Sequence, residues 1–210
     1  MVTLLKNIKI YLSFIFFITL YANDQYIDVI TTNDMHGFLN VQDALFMNPN
    51  FPPKIMGGAA LYEYINNIKE KSSQGLDDML ILDGGNFFQG HPVGIIDSGK
   101  TIIEWMNKVG YSAIVPGNYD FLFGVQNLIN LSNKADFDFL ASNLYFSNSD
   151  EIVFKPYQIY NIKGIKVGVL GMINSNLNDI VLDKNLNGIK VTSAIAAMDK
   201  WIPEMKKNGA

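Results

Sequence analysis

Polar side chains that can bind a metal ion follow three apolar segments of the sequence. Asp34 and His36 lie two residues apart in TNDMHG, so in an extended backbone both side chains face the same direction. A carboxylate and an imidazole at that spacing can form a ligand pair for a divalent cation, although a loop aspartate and histidine also commonly cap turns or contact solvent. The other two segments offer amides, Asn86 in LILDGGNFFQG and Asn118 in VPGNYDFLFG.

Each amide also has a structural interpretation. Gly117 and Asn118 form a dipeptide that is typical of a turn, and the side-chain oxygen of Asn118 is equally suited to coordinate a metal. Asn86 is the first polar side chain after two glycines at the end of an apolar strand, where α/β enzymes place their ligands. His91, in QGHPVG, is interpreted as a solvent-facing loop residue because no metal motif surrounds it.

The elements around these segments alternate between strands and helices. YIDVITT (26–32) and DMLILDGG (78–85) are typical of strands, and GAALYEYINNIKEK (58–71) is typical of a helix between them. The pattern predicts further helices in TIIEWMNKVG and VQNLINLSNKA, further strands in YSAIVPGN and FDFLASNL, and a hairpin in VFKPYQIYNIKGIKVGVLGMI that turns at KG. Helices between strands predict an α/β fold with crossover connections and a largely buried sheet. Five aromatic residues in or beside the apolar stretches are predicted to pack in the core: Phe87, Phe88, Trp105, Phe121 and Phe123.

Composition limits the class of protein. The chain has 210 residues, of which 49% are hydrophobic and 17% charged, so it can bury one ordinary core. The net charge of -4 and the lack of a clustered basic face argue against a nucleic-acid partner. The absence of cysteine excludes both disulfides and a lipid-carrying cysteine.

The first 22 residues are interpreted as a signal peptide. Lys6 and Lys9 precede the apolar run IYLSFIFFITLY, and Ala22 offers a small residue for cleavage. The run is shorter than the roughly 20 residues of a spanning helix, so no stable membrane span is expected, although an uncleaved segment would anchor the protein. The mature chain, 23–210, is therefore expected to be exported to the periplasm or the extracellular space.

Taken in order, these segments resemble the N-terminal metallophosphoesterase (calcineurin-like phosphoesterase) domain of the 5′-nucleotidase family. TNDMHG, LDGGNFFQG and GNYDFLFG look like the three metal motifs of that family, GGAALYEYI like its glycine-led helix, and ASNL and KPYQIYNIKGIKVGVLGMI like its next two segments. The resemblance implies a β-sandwich flanked by helices in α/β/β/α layers. It also implies two divalent metals as cofactors and hydrolysis of nucleotide or other phosphate esters.

The resemblance assigns roles to individual residues. Asp34 and His36 match ligands of one metal, and Asn118 matches a ligand of the other. Asn86 stands where the family has the aspartate that bridges both metals. Tyr119 replaces the histidine that stabilises the transferring phosphoryl group, and Leu122 replaces the aspartate that orients this histidine. No catalytic position is intact, so at most one weakly held metal is expected.

The end of the sequence adds an expectation of its own. A helix carrying Ile195, Met198, Ile202 and Met205 is followed by no further strand, and the chain has only two histidines, whereas the family supplies more from later motifs. The sequence analysis therefore predicts a partial, incomplete metallophosphoesterase domain over 23–210 that lacks the C-terminal nucleoside-recognition domain.

Three hypotheses remain open. The chain is a catalytically impaired fragment, or an active phosphoesterase completed by a separately encoded C-terminal half, or an exported non-catalytic protein that binds a metal or phosphate.

Overall fold

The computed structural model describes residues 26–71 and 79–210, in which strands and helices alternate. The strands are β1 (Asp28–Thr32), β2 (Gln42–Asp43), β3 (Lys54–Ile55), β4 (Met79–Asp83), β5 (Ala113–Ile114), β6 (Asp138–Phe139), β7 (Leu144–Phe146), β8 (Tyr157–Ile162), β9 (Ile165–Leu170) and β10 (Ile189–Val191). The α-helices are α1 (Gly58–Lys71), α2 (Pro92–Ile95), α3 (Lys100–Val109), α4 (Gly124–Ser132), α5 (Leu177–Ile180) and α6 (Ala194–Lys207), and two 3₁₀ helices span Asn118–Phe123 and Asp183–Asn185.

A four-stranded parallel sheet in the order β1-β4-β5-β6 forms the centre of the fold. Its central strand β4, MLILD, is apolar along almost its whole length and nearly fully buried, as expected of a parallel strand covered on both faces. Helices α1, α3 and α4 lie in the connections between these strands. The predicted α/β fold is confirmed.

Antiparallel pairs complete the β structure. Strands β8 and β9 form the predicted hairpin, and its turn at Lys163 and Gly164 has the two positive φ angles of a tight hairpin turn. Helix α6 packs against this hairpin, and the hydroxyl of Tyr160 in β8 donates to the Ser112 carbonyl beside the parallel sheet at 2.8 Å. The hairpin therefore forms a second β layer between the parallel sheet and α6.

One of the five aromatic residues predicted to pack in the core differs from that prediction. Phe87, Phe88 and Phe121 are fully buried, and Trp105 is partly buried, but Phe123 is 43% exposed because only one ring face stacks, on Phe88. In α6 the side chain of Ile195 is 66% exposed, whereas Ala197 is buried.

The predicted strand FDFLASNL is interrupted at a buried asparagine. Asn143 lies between β6 and β7, with its side chain fully buried. Its amide donates to the carbonyls of Ile173 and Thr192 at 2.8 and 3.1 Å and accepts from the Ile173 N–H at 2.8 Å. These bonds join the chain to two distant segments, so β6 ends and β7 pairs with β10 instead.

The end of β4 carries a buried polar cluster. Thr32 donates to the Asp83 carboxylate at 2.5 Å, and the Gly85 N–H donates to its other oxygen at 2.8 Å. The Tyr111 hydroxyl lies 2.9 Å from the Thr32 hydroxyl, and burial raises the pKa of Tyr111, so the phenol stays protonated and donates. Burial also raises the pKa of Asp83 to about 6. The Thr32 and Gly85 hydrogen bonds lower this pKa, but the effect of burial is larger.

Residues 1–22, interpreted above as a signal peptide, lie outside the described residues. Among the helices that the structure describes, none has the length and apolar character needed to cross a bilayer.

Replacement of Asn143 by alanine should destabilise the fold strongly. The substitution leaves one N–H and two carbonyl groups without their buried partner, which costs about 3 kcal/mol or more in the free energy of unfolding. The exposed Asn67→Ala in α1 is the matched control and should change that free energy by less than about 0.5 kcal/mol. Urea denaturation of both variants measures the difference, and equal midpoints would contradict the role given to Asn143.

Asp83→Asn should remove part of the pH dependence of stability. Because the folded protein raises the pKa of Asp83 from 3.8 to about 6, the stability contribution of this group is full below pH 3.8 and falls as the pH rises towards 6. The loss amounts to about 3 kcal/mol. Asparagine can still accept from Gly85 and donate to Thr32, so urea denaturation at pH 4 and pH 7.5 should show the variant gaining most of that amount on the parent. The exposed Asp150→Asn should leave the profile unchanged, and parallel profiles for parent and Asp83→Asn would contradict the assignment.

Candidate functional site

The candidate site lies where three loops follow the carboxyl ends of β1, β4 and β5. We call them the first loop (33–38), the second loop (84–91) and the third loop (115–119). The N–H groups of Asp34 and His36 donate to the carbonyls of Gly85 and Asn86 at 3.0 and 2.8 Å. Backbone hydrogen bonds thus join the first and second loops, and these bonds fix the positions from which the side chains project.

Three polar residues in these loops have left-handed backbone. The φ angles are 55° at Asp34, 50° at His36 and 58° at Asn86. A non-glycine residue in this region costs about 1 kcal/mol or more, and such residues are concentrated at functional sites. The hydrogen bonds between the loops hold this conformation, and the Asp34 side chain lies beside those of His36 and Asn86.

Two glycines let the third loop approach the second. A Cβ atom on Gly117 would lie 2.2 Å from the side-chain oxygen of Asn86, and one on Gly85 would lie 2.4 Å from the Gly117 nitrogen. Gly85 also has a φ of 102°. Larger residues at either position would push the loops apart.

The buried carboxylate of Asp120 joins the second and third loops. It accepts from the N–H groups of Asn86, Phe87 and Gly117 at 2.7, 2.9 and 2.8 Å. Complete burial raises the pKa of this carboxyl to about 7, against the opposing effect of the backbone donors. Asp120 was not predicted from the sequence, although an aspartate within the otherwise apolar run YDFLF is a signal for a buried polar role.

The amide of Asn86 has both of its ends occupied. Its oxygen accepts from the Tyr119 N–H at 2.9 Å, so its NH₂ group is the end that faces Asp34. That group donates to one oxygen of the Asp34 carboxylate at 2.7 Å, and Asn33 donates to the other at 2.6 Å. The carboxylate therefore lies between two amide groups.

His36 has a defined tautomer in its neutral form. Its Nδ1 lies 2.6 Å from the carbonyl oxygen of Gln89, which only accepts, so Nδ1 carries the proton. Nε2 is then free of hydrogen and lies 3.7 Å from an Asp34 carboxylate oxygen. A histidine held by a backbone carbonyl in this way is oriented as metal-binding histidines usually are.

The remaining candidates lie beside this group. Asn118, Tyr119 and Leu122 line a cavity of about 240 Å³, and the Tyr119 ring contacts His36 edge to face with 5.3 Å between ring centroids. His91 accepts from the Val93 N–H at 3.3 Å through Nδ1 and begins helix α2, so its ring has a capping role.

Asp34 and His36 are the two potential metal ligands that the structure brings together, with 3.7 Å between a carboxylate oxygen and Nε2. Asn86 directs N–H groups, which cannot coordinate, towards Asp34. Across residues 26–71 and 79–210, no three histidine, cysteine, aspartate or glutamate side chains are grouped as a metal site.

Comparison with curated proteins identifies relatives of the chain. It is 27% identical over 180 residues to a 5′-nucleotidase of Vibrio cholerae, a match that covers 85% of this chain and 31% of that protein. It is 29% identical over 146 residues to the silent protein UshA(0) of Salmonella typhimurium, covering 70% and 25% of the two chains. The chain thus spans less than a third of the length of these relatives. No family model matches it.

Solved structures show the same fold. The calcineurin-like phosphoesterase YfkN of Bacillus subtilis superposes with a TM-score of 0.67 at 26% identity, over 88% of this chain and 59% of that one. The 5′-nucleotidase precursor of Thermus thermophilus superposes with a TM-score of 0.72 at 21% identity, over 88% and 35%. The chain is thus similar in sequence to 5′-nucleotidases and similar in fold to a 5′-nucleotidase precursor and a calcineurin-like phosphoesterase.

Proposed function

We propose that this chain is a metallophosphoesterase-type domain whose ligands are nucleotide phosphoesters and whose own hydrolytic activity is impaired. Two of its relatives are a 5′-nucleotidase and a 2′,3′-cyclic-nucleotide 2′-phosphodiesterase/3′-nucleotidase, and these activities support the substrate class. The proposal of impaired hydrolysis rests on the Asn86 amide, which donates to Asp34 and accepts from the Tyr119 N–H.

The electrostatics of a two-metal centre explain why that amide matters. Two dications about 3.5 to 4 Å apart repel by roughly 16 to 19 kcal/mol at an effective dielectric constant near 20. A bridging carboxylate offsets part of this repulsion, whereas an amide contributes one neutral oxygen. At Asn86 that oxygen already accepts a backbone hydrogen bond. One divalent ion, held weakly by Asp34 and His36, with Asn118 as a further candidate ligand, is the proposed cofactor.

Stabilisation of the phosphoryl group is weakened in the same way. Tyr119 brings a neutral phenol where a cationic donor would stabilise the transferring group, and Leu122 has no polar atom to orient it. All 16 basic residues of the chain are lysines, so it has no guanidinium that could bind a phosphate through two parallel hydrogen bonds. No lysine lines the cavity beside Tyr119.

We also infer that the protein is exported, because its first 22 residues have the charge and hydropathy pattern of a signal peptide. A separately encoded polypeptide that supplies further ligands is the alternative partner hypothesis. It predicts metal-dependent hydrolysis only in a mixture of the two chains.

Asn86→Asp should make the thermal stability of the protein depend on a divalent metal. Without metal, the new carboxylate lies at hydrogen-bond distance from Asp34 and repels it, so the thermal midpoint should fall. Addition of Mn²⁺ should restore most of the loss. Asn86→Ala is the control, because it also loses the hydrogen bond to Asp34 but adds no charge, and Mn²⁺ should not rescue it. Thermal melts with and without Mn²⁺ measure both, and an equal metal response in the two variants would contradict the proposal.

Hydrolysis provides the second test. The parent chain should release no phosphate from AMP and no nitrophenol from bis-p-nitrophenyl phosphate above background in Mn²⁺ or Co²⁺. The triple variant Asn86→Asp, Tyr119→His, Leu122→Asp should also stay inactive, because the sequence holds only two histidines and a second metal still lacks imidazole ligands. Metal-dependent turnover by the parent would refute impairment. Turnover by the triple variant alone would show that the missing ligands come from elsewhere in the chain, and His91→Ala would then be the first variant to make.

A further inference from the structure

Exposed apolar side chains are concentrated in the connection between β2 and β3, which we call the tip loop (44–53). Leu45, Phe46, Met47 and Phe51 are 59%, 82%, 66% and 83% exposed. If each whole side chain has about 200 Å² of surface, the four together expose about 600 Å². An apolar patch of that size on one short segment indicates a surface that binds something.

Hydrogen bonds within the tip loop hold its backbone. The Ala44 N–H donates to the Pro53 carbonyl at 2.9 Å and joins the two ends of the loop. The side-chain oxygen of Asn48 accepts from the N–H groups of Asn50 and Phe51 at 3.1 and 3.0 Å. Polar groups of the loop therefore bond to one another, while its large apolar side chains face water.

The tip loop carries no charge. Its sequence, ALFMNPNFPP, lies between Asp43 and Lys54, and these two side chains form an ion pair at 2.6 Å at the base of the loop. A charged group that enters a lipid surface loses hydration, so a segment that inserts must keep its charges outside the apolar region. Apolar and aromatic side chains without charge are the groups that such a surface accepts.

The shape of this region favours a lipid surface over a second copy of the chain. Strands β2 and β3 form a sheet of their own, so the tip loop extends from a separate hairpin and not from a flat face. Its apolar area of about 600 Å² is below the roughly 800 Å² that each partner of a stable protein complex buries. Below the tip, Phe38, Ile55 and Met56 line a cavity next to α1. The export inferred above would bring the loop to the outer face of a membrane.

We propose that the tip loop inserts into a zwitterionic lipid surface, with Phe46 and Phe51 as its main apolar contacts. Because a single small apolar group gives only marginal membrane binding, attachment through this loop is reversible. The inference goes beyond the proposed function, because it depends neither on the metal ligands nor on the cavity beside Tyr119.

A fluorescent dye in the tip loop tests the proposal. The chain has no cysteine, so Met47→Cys gives a single labelling site for an environment-sensitive dye. On phosphatidylcholine vesicles, the labelled full chain should show a blue-shifted emission that nitroxide lipids quench. The dye reports on the loop itself, whether or not the N-terminal apolar run also binds the vesicle.

The control for this label is Ile195→Cys. Ile195 is also 66% exposed, but it lies in α6 on the second β layer. A dye there should show neither the blue shift nor the quenching. The absence of a response at position 47, or an equal response at position 195, would overturn the proposal.

Variants measure the contribution of the two rings. Phe46→Ser combined with Phe51→Ser, in the chain labelled at position 47, should lower the partition of the loop into lipid at least about tenfold, because two phenyl rings then no longer leave water. Both side chains are exposed, so the thermal midpoint should stay at the parental value. The control Leu182→Ser, at a position that is 65% exposed, should leave partition unchanged. Unchanged partition in the double variant, or an equal loss in the control, would contradict the proposal.

Salt and protein concentration distinguish lipid insertion from other kinds of binding. High salt should leave the dye response unchanged, because the tip loop has no charge to screen. Release by salt would show attraction through lysines elsewhere and would overturn the proposal. A blue shift without lipid that grows with protein concentration would identify a second copy of the chain as the partner and would overturn it as well.

Discussion

The carboxylate of Asp120 is the interaction on which the geometry of the site depends. Three backbone N–H groups from two loops converge on it, and no described cation neutralises its charge. Because the donors are main-chain groups, these three hydrogen bonds do not depend on which side chains stand at 86 and 119. The part of the loop geometry that Asp120 holds is therefore separate from the candidate ligands.

The candidate ligands form a polar group that is satisfied without a metal. Asp34 accepts from two amides, His36 donates to a backbone carbonyl, and Asn86 uses both ends of its side chain. Two carboxylates at positions 34 and 86 would repel each other unless a cation lay between them. With an amide at position 86 this repulsion is replaced by a hydrogen bond. Under the proposed function, the amide that lowers the capacity for metal thus also stabilises the site in its absence.

Sequence periodicity predicted the elements that position the site but not the bonds that fix it. The apolar run of β4 and the helical spacing in α3 are local patterns, and both elements form where expected. The interruption between β6 and β7 was not predicted, because it depends on hydrogen bonds from Asn143 to residues about 30 and 49 positions away. The order of the three loops was likewise visible in the sequence. The role of Asp120 and the orientation of the Asn86 amide were not, because both depend on contacts between loops that are distant in the sequence.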